Sequence, residues 1–200
     1  MSDSFVSLKP GALLAPVPAV MVSCALSGEK PNIITLAWVG TVCSDPPMCS
    51  ISVRKERYSH HIIRESGEFV INLVGKKQLQ AMDFCGVKSG RDMDKFASCG
   101  LTPFAVPGFT APAVAECPIY LACRVTSVQE LGSHALFLGK IEHMGLKQEL
   151  MDETGRIDYS LADLVAYNHG NYYELGQALG FYGYSVAAPD VLDRRMKQLK

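Results

Sequence analysis

A cation and a helix start stand side by side near residue 54, and together they describe a site for an anion. With a period of two, Met48 to Arg54 turns Cys49, Ile51 and Val53 one way and Ser50, Ser52 and Arg54 the other. Alone, that alternation describes a strand with a solvated outer face. The next residues shift the balance. Arg57-Tyr58-Ser59-His60-His61-Ile62-Ile63-Arg64-Glu65 has the make-up of a short helix, with Ser59 as the expected N-cap. A helix that begins directly after a strand ending in Arg54 aims free N–H groups and a guanidinium at one point.

The other reactive side chains read more plainly. Seven cysteines are an odd number and include no Cys-x-x-Cys. Cys43 and Cys49, and Cys117 and Cys123, are each six apart, on one face of a strand if no bulge intervenes. Zinc sites use tighter spacings, so buried free thiols are the favoured reading and no metal is expected. His60 and His61 are adjacent, so on a helix they diverge and make a poor metal pair. His169 reads as a helix end and His134 as the structural start of a strand. Trp38, the only tryptophan, fits a core or hairpin-packing role, and Lys95 an ordinary surface position. Arg54 has the alternative of a surface salt bridge, worth roughly 0–1 kcal/mol.

These residues need elements to position them. Strands are expected over Ala19 to Leu26 and Ile33 to about Val39, joined by the turn-rich Ser27 to Asn32. Asp45-Pro46-Pro47 breaks the chain before the strand Met48 to Arg54. Glu68 to Val74 is a further strand with Phe69, Ile71 and Leu73 on one face, and Gln78 to Phe84 a short helix ending near Gly86. Lys88 to Lys95 reads as a polar loop. Pro118 to Glu130 and His134 to Leu146 form a long hairpin through Leu131-Gly132-Ser133. Ser160 is the expected cap of a helix from Leu161 towards Asn168, whereas Asn171 to Ser185 carries no firm pattern. This order predicts a mainly β fold, an antiparallel barrel with a few peripheral helices.

Composition narrows the partners. The 200 residues are 48% hydrophobic and 20% charged, with a net charge of -1, which suits one globular domain over 1–200. No nucleic acid or membrane partner is expected, since the cations are scattered apart from Arg194, Arg195, Lys197 and Lys200, read as a solvated helix end. The uncharged stretch Pro10 to Ser27 is broken by Pro16 and Pro18. With no basic start followed by an apolar run, a cytoplasmic protein is expected.

Several stretches together resemble a known family. They are Pro18 to Ser23, Asn32 to Val39, Asp45-Pro46-Pro47, Ser52 to Ser59, Ser89 to Phe96 and Gly132 to Gly139. In this order they resemble the flavin reductase-like family, and within it the flavoredoxins, from about Pro16 to Tyr184. The resemblance implies a Greek-key split barrel with a core at about 16–184 and a tail at 185–200. It implies a homodimer holding FMN near the subunit interface. It sets Asn32, Ala37, Trp38 and Val53 along the flavin, and Arg54, Tyr58 and Ser59 at the FMN tail. Lys95 falls near the phosphate, His134 at the flavin's open side, and Tyr167 on a C-terminal helix beside it.

One departure follows. Many members carry Gly-Asp-His where this chain has Gly132-Ser133-His134, so the histidine lacks an acidic neighbour. No residue is assigned a catalytic role. The electron donor would be NAD(P)H or a redox protein. With no Gly-x-Gly-x-x-Gly in the chain, a nicotinamide would dock over the flavin rather than in a Rossmann domain. The rival readings are a non-catalytic flavin-sensing module and a cofactor-free β-barrel interaction protein.

Overall fold

Seven strands form the main sheet, all paired antiparallel, and its two outermost strands are neighbours in sequence. In chain order they are β1 (Val20–Cys24), β2 (Asn32–Leu36), β3 (Val39–Ser44), β4 (Pro47–Arg54), β5 (Glu68–Leu73), β6 (Ile119–Leu131) and β7 (His134–Leu146). Their spatial order is β2-β1-β5-β6-β7-β4-β3. Only Ala37-Trp38 separates the two edges, and Ser52 N donates to Trp38 O at 2.9 Å across that corner. The result is a mainly β, split-barrel architecture of Greek-key type. The computed structural model describes residues 4–199, so Lys200 of the basic tail lies outside the described residues.

Alternation along the strands fills the barrel. Val20, Val22, Ile34, Leu36, Ile51, Val53, Phe69, Ile71 and Phe137 point inward. Helix α1 (Tyr58–Ser66) adds Ile62 and Ile63 to the same core. β1 is buried on both faces, because α2 (Leu79–Val87) and α3 (Lys95–Cys99) cover its outer side. There Met21 and Ile33 meet Met82, Cys85 and Phe96. Behind the barrel, β8 (Val165–Asn168) and β9 (Asn171–Glu174) pair as a hairpin, and β8 also pairs with the short strand Val17–Pro18. A last helix, α4 (Pro189–Lys197), carries Arg194, Arg195 and Lys197 in its final turn. Among the described residues no helix is long and apolar enough to cross a membrane.

Several sequence expectations need correction. The second strand ends at Leu36, and Trp38 lies in the corner rather than in a strand, because the chain there leaves β1 to pair with β4. Cys43 and Cys49 therefore sit on different strands, separated by the turn at Asp45-Pro46. Arg57, not Ser59, is the N-cap of α1, and Ser59 is fully buried inside the helix. The helix expected from Leu161 towards Asn168 does not form. Asp158 caps a single 3₁₀ turn, Tyr159–Ala162, by accepting from Ser160 N, and Val165 and Tyr167 then suit a strand. Tyr167 thus comes from β8, and His169, with φ 41°, turns the hairpin instead of ending a helix. Lys95 opens a helix and is buried, so it is no surface lysine.

Candidate functional site

Two cavities open side by side where α1 and α2 meet the barrel corner, and they share Ile34, Arg57 and Gly86. The wider one has a volume of about 440 Å³, the narrower about 290 Å³. Together they fall within the roughly 300–1,000 Å³ of small-molecule sites. Their linings differ in chemistry.

The wider chamber is mainly aromatic and apolar, with Arg54, Arg57 and Asp83 as its charged groups. Leu36, Ala37 and Trp38 come from the corner, Ser52 and Arg54 from β4, and His134 from the start of β7. His134 stands opposite Arg54 in the β4–β7 register, and its ring lies 4.6 Å from that of Trp38. Gly132, with φ 48°, permits the two-residue turn that delivers His134 there. The hairpin tip is pinned by Glu130, which pairs with Lys55 at 2.7 Å and with Arg64 at 2.6 Å. Those two cations pull the Glu130 carboxyl down to about 2.

His134 has a hydroxyl rather than a carboxylate as its sequence neighbour. Ser133 Oγ lies 2.9 Å from its Nδ1. Burial holds the imidazole below its usual range and the Arg54 guanidinium adds to this, while Glu56 opposes it. The ring is therefore mostly neutral at pH 7. Arg54 is itself half-exposed and paired with Glu56 at 3.2 Å.

The far wall of the wider chamber comes from α2 and the β8–β9 hairpin. Tyr167 and Tyr172 line it, with Ala12 and Leu14 from the N-terminal arm. The Tyr172 hydroxyl donates to Asp83 Oδ1 at 2.8 Å, and burial together with that carboxylate pushes Tyr172 up to about 12. This contact fastens the hairpin to α2. Thr35 Oγ1 donates to Met82 O and ties β2 to the same helix.

The narrower chamber is polar and cationic. Asn32, Tyr58, Ser59 and Gly90 line it, and the cations Arg57, Lys88 and Lys95 outnumber the single acid, Glu56. Arg57 caps α1 with no side-chain hydrogen bond, and although His60 N already donates to Arg57 O at 2.9 Å, the first N–H groups of a helix have no intrahelical acceptor and can serve a ligand or water. Asn32 Nδ2 donates to Ser59 Oγ at 2.8 Å, and both residues are buried. Gly90 lies so close that a Cβ there would fall 2.2 Å from Asn32 Oδ1. Lys95 is only 3% exposed, and its Nζ donates to Ile33 O and Cys85 O, each at 2.7 Å. An ammonium has three N–H donors, so one remains. Burial pushes the Lys95 amine below its usual range, so an anion beside it would favour the charged form.

The structure thus brings nine of the ten sequence-derived site residues to the two chambers. Asn32, Tyr58, Ser59 and Lys95 border the narrow one, and Ala37, Trp38, Arg54, His134 and Tyr167 the wide one. Val53 borders neither, since its side chain is buried in the barrel core. Sequence reasoning did not single out Arg57, Gly86, Gly90 or Tyr172. The first three adjoin or lie within recognisable local patterns, whereas the position of Tyr172 depends on a hairpin the sequence did not reveal. The arrangement suits a ligand that is flat and apolar at one end and anionic at the other.

Comparison with known proteins agrees with that geometry. A family model described as "Flavin reductase like domain" matches residues 13–176. The flavoredoxin of Desulfovibrio vulgaris (Miyazaki F) superposes with a TM-score of 0.84 at 31% identity, covering 90% of this chain and 98% of that one. The flavoredoxin from Methanosarcina acetivorans superposes with a TM-score of 0.83 at 27% identity, covering 89% and 95%. An NADH:riboflavin 5'-phosphate oxidoreductase of Streptomyces pristinaespiralis is 28% identical over 122 residues, 61% of this chain and 66% of that protein.

Proposed function

The chain belongs to the flavin reductase like family, and on that premise we propose that it binds one FMN and passes electrons through it. The observation that carries this reading is the junction of an aromatic chamber with a cationic one at Arg57 and Gly86. FMN, when bound, supplies the redox chemistry of its ring, and the protein supplies position and exclusion of water. Lys95, Arg57 and the first turn of α1 hold the anionic tail. Asn32, kept in place by Ser59 and Gly90, closes the side of the same chamber. Trp38, Ala37, Tyr167 and Tyr172 bound the ring, and His134 stands at its open side.

Electron carriage between redox proteins is the favoured form of this activity. His134 has Ser133 rather than a carboxylate beside it and is held neutral by burial and Arg54. A neutral imidazole offers less attraction to an anionic nicotinamide cofactor than an imidazolium would. The same reading takes the protein as a cytoplasmic homodimer. Seven free thiols suit a reducing compartment. Trp38, Val42 and Met144 are large apolar side chains that a second copy would cover. Light scattering should then report about twice the chain mass.

Anaerobic mixing of the FMN-loaded protein with NADH or NADPH tests the carrier reading. Reduction slower than the roughly 1–1000 per second typical of enzymes is expected, with Ser133→Asp raising the rate. Wild-type reduction within that range would make the protein a flavin reductase proper.

A further inference from the structure

Two thiols behind the cationic chamber are in contact, and the electron-transfer reading makes no use of them. Cys85 Sγ on α2 lies 4.0 Å from Cys99 Sγ on α3, the one sulfur–sulfur contact among the described residues. Cys85 is fully buried and borders the narrower chamber, whereas Cys99 is half-buried. Lys95 and Cys99 are four apart on α3, so both face α2. The Lys95 amine, in turn, holds the carbonyl of Cys85 at 2.7 Å. Dithiol, amine and chamber wall are therefore one connected unit.

We propose that Cys85 and Cys99 are a redox-active dithiol that closes to an intramolecular disulfide on exposure to hydrogen peroxide and distorts the cationic chamber. Cys99, the more accessible sulfur, attacks one peroxide oxygen as its thiolate. The O–O bond breaks, Cys99 becomes a sulfenic acid, and the departing hydroxide takes a proton to leave as water. Cys85 then attacks the sulfenyl sulfur, and its proton leaves with the hydroxyl as a second water. In balance, two thiols lose two electrons and two protons, and one peroxide becomes two waters. Burial pushes the Cys85 thiol up to about 12, which suits the resolving partner better than the first attacker. The Lys95 ammonium beside it favours the thiolate as it forms.

A disulfide brings its sulfurs to about 2 Å, half their present separation. Closing that gap draws the last turn of α2 towards α3. Cys85 O, which positions Lys95, and Gly86, which lies at the junction of the chambers, belong to that turn. Oxidation should therefore disturb a chamber whose groups are already set, and weaken ligand binding there.

The test uses the full chain, treated with hydrogen peroxide, alkylated under denaturing conditions and mapped by peptide mass spectrometry. The expected result is a Cys85–Cys99 linked peptide that dithiothreitol restores to two alkylated thiols. Neither Cys99→Ser nor Cys99→Ala should yield it. Two free thiols after treatment, or a Cys99 sulfinic acid beside an unmodified Cys85, would overturn the proposal. The effect on the chamber rests on the FMN reading, and is measured by titrating FMN into reduced and oxidised protein. The dissociation constant should rise at least threefold on oxidation in the wild type and stay unchanged in Cys99→Ser. An unchanged wild-type constant would overturn the coupling. Failure of both forms to bind FMN would count against the FMN reading instead, because the mapping uses no flavin.

Discussion

The two chambers of the site are built to different standards of rigidity. In the narrow one the buried side chains are held before a ligand arrives, while Arg57 and Lys88 at its rim are exposed. Lys95 is fixed by two carbonyls, Asn32 by Ser59 and Gly90, and Ser59 is fully buried. In the wide one Trp38 is 48% exposed, Arg54 is half-exposed, and part of the wall is an N-terminal arm with few anchors. Preset groups lose little freedom on binding, so they convert contacts into affinity most efficiently. An open, aromatic end adds less affinity but leaves room for a second molecule to approach. The tail end should therefore hold the cofactor, and the ring end should serve exchange.

Changing Lys95 should expose this difference most strongly. Lys95→Ala is expected to weaken FMN by about 1.5–3 kcal/mol, as for a lost hydrogen bond to a charged group, and to affect riboflavin far less. It should also lower the melting temperature, since Ile33 O and Cys85 O lose their donor. Equal losses for the two ligands would remove Lys95 from the phosphate end.

Trp38 should matter less. Trp38→Ala is expected to cost about 0.5–1.5 kcal/mol, the scale of one aromatic contact. In the wild type, saturating FMN should quench most of the emission from this sole tryptophan. Unchanged emission would separate Trp38 from the ring.

The smallest effect lies outside both chambers. His60, on α1, packs against Phe137 with ring centroids 5.4 Å apart, and its Nε2 is buried without a partner. Burial holds it below its usual range, and Arg64, Lys55 and His61 act in the same direction while Glu130 opposes them. Because the folded value lies below the unfolded one, this contribution to stability is present above about pH 6.5 and falls away at lower pH. The melting temperature should decline as pH drops from 7 towards 5, and His60→Phe should flatten that decline. An identical pH profile in the variant would assign the decline to other groups.

How legible the site was follows the same division. Arg54 and His134 were readable because alternation and the Gly132-Ser133 turn fix their strands and register locally. The helix start after Arg54 was readable for a similar local reason, although the cap is Arg57 rather than Ser59. Lys95 reads as a surface residue because the carbonyls that bury it belong to Ile33, 62 residues away, and to Cys85. The β8–β9 hairpin was hidden because a helix cap signal at Ser160 is absorbed by Asp158, and the strands take their partners from Val17–Pro18 and from each other. Local chemistry predicts local geometry; groups assembled across the chain require the fold.

The account rests on the tail end holding the cofactor, and one comparison tests that directly. FMN and riboflavin share a ring and differ in the phosphate, so calorimetric titration of the flavin-free protein with each isolates the narrow chamber. FMN should bind at stoichiometry one per chain and about a hundredfold tighter than riboflavin, the scale of one or two charge-assisted hydrogen bonds. Equal dissociation constants for the two would contradict the account.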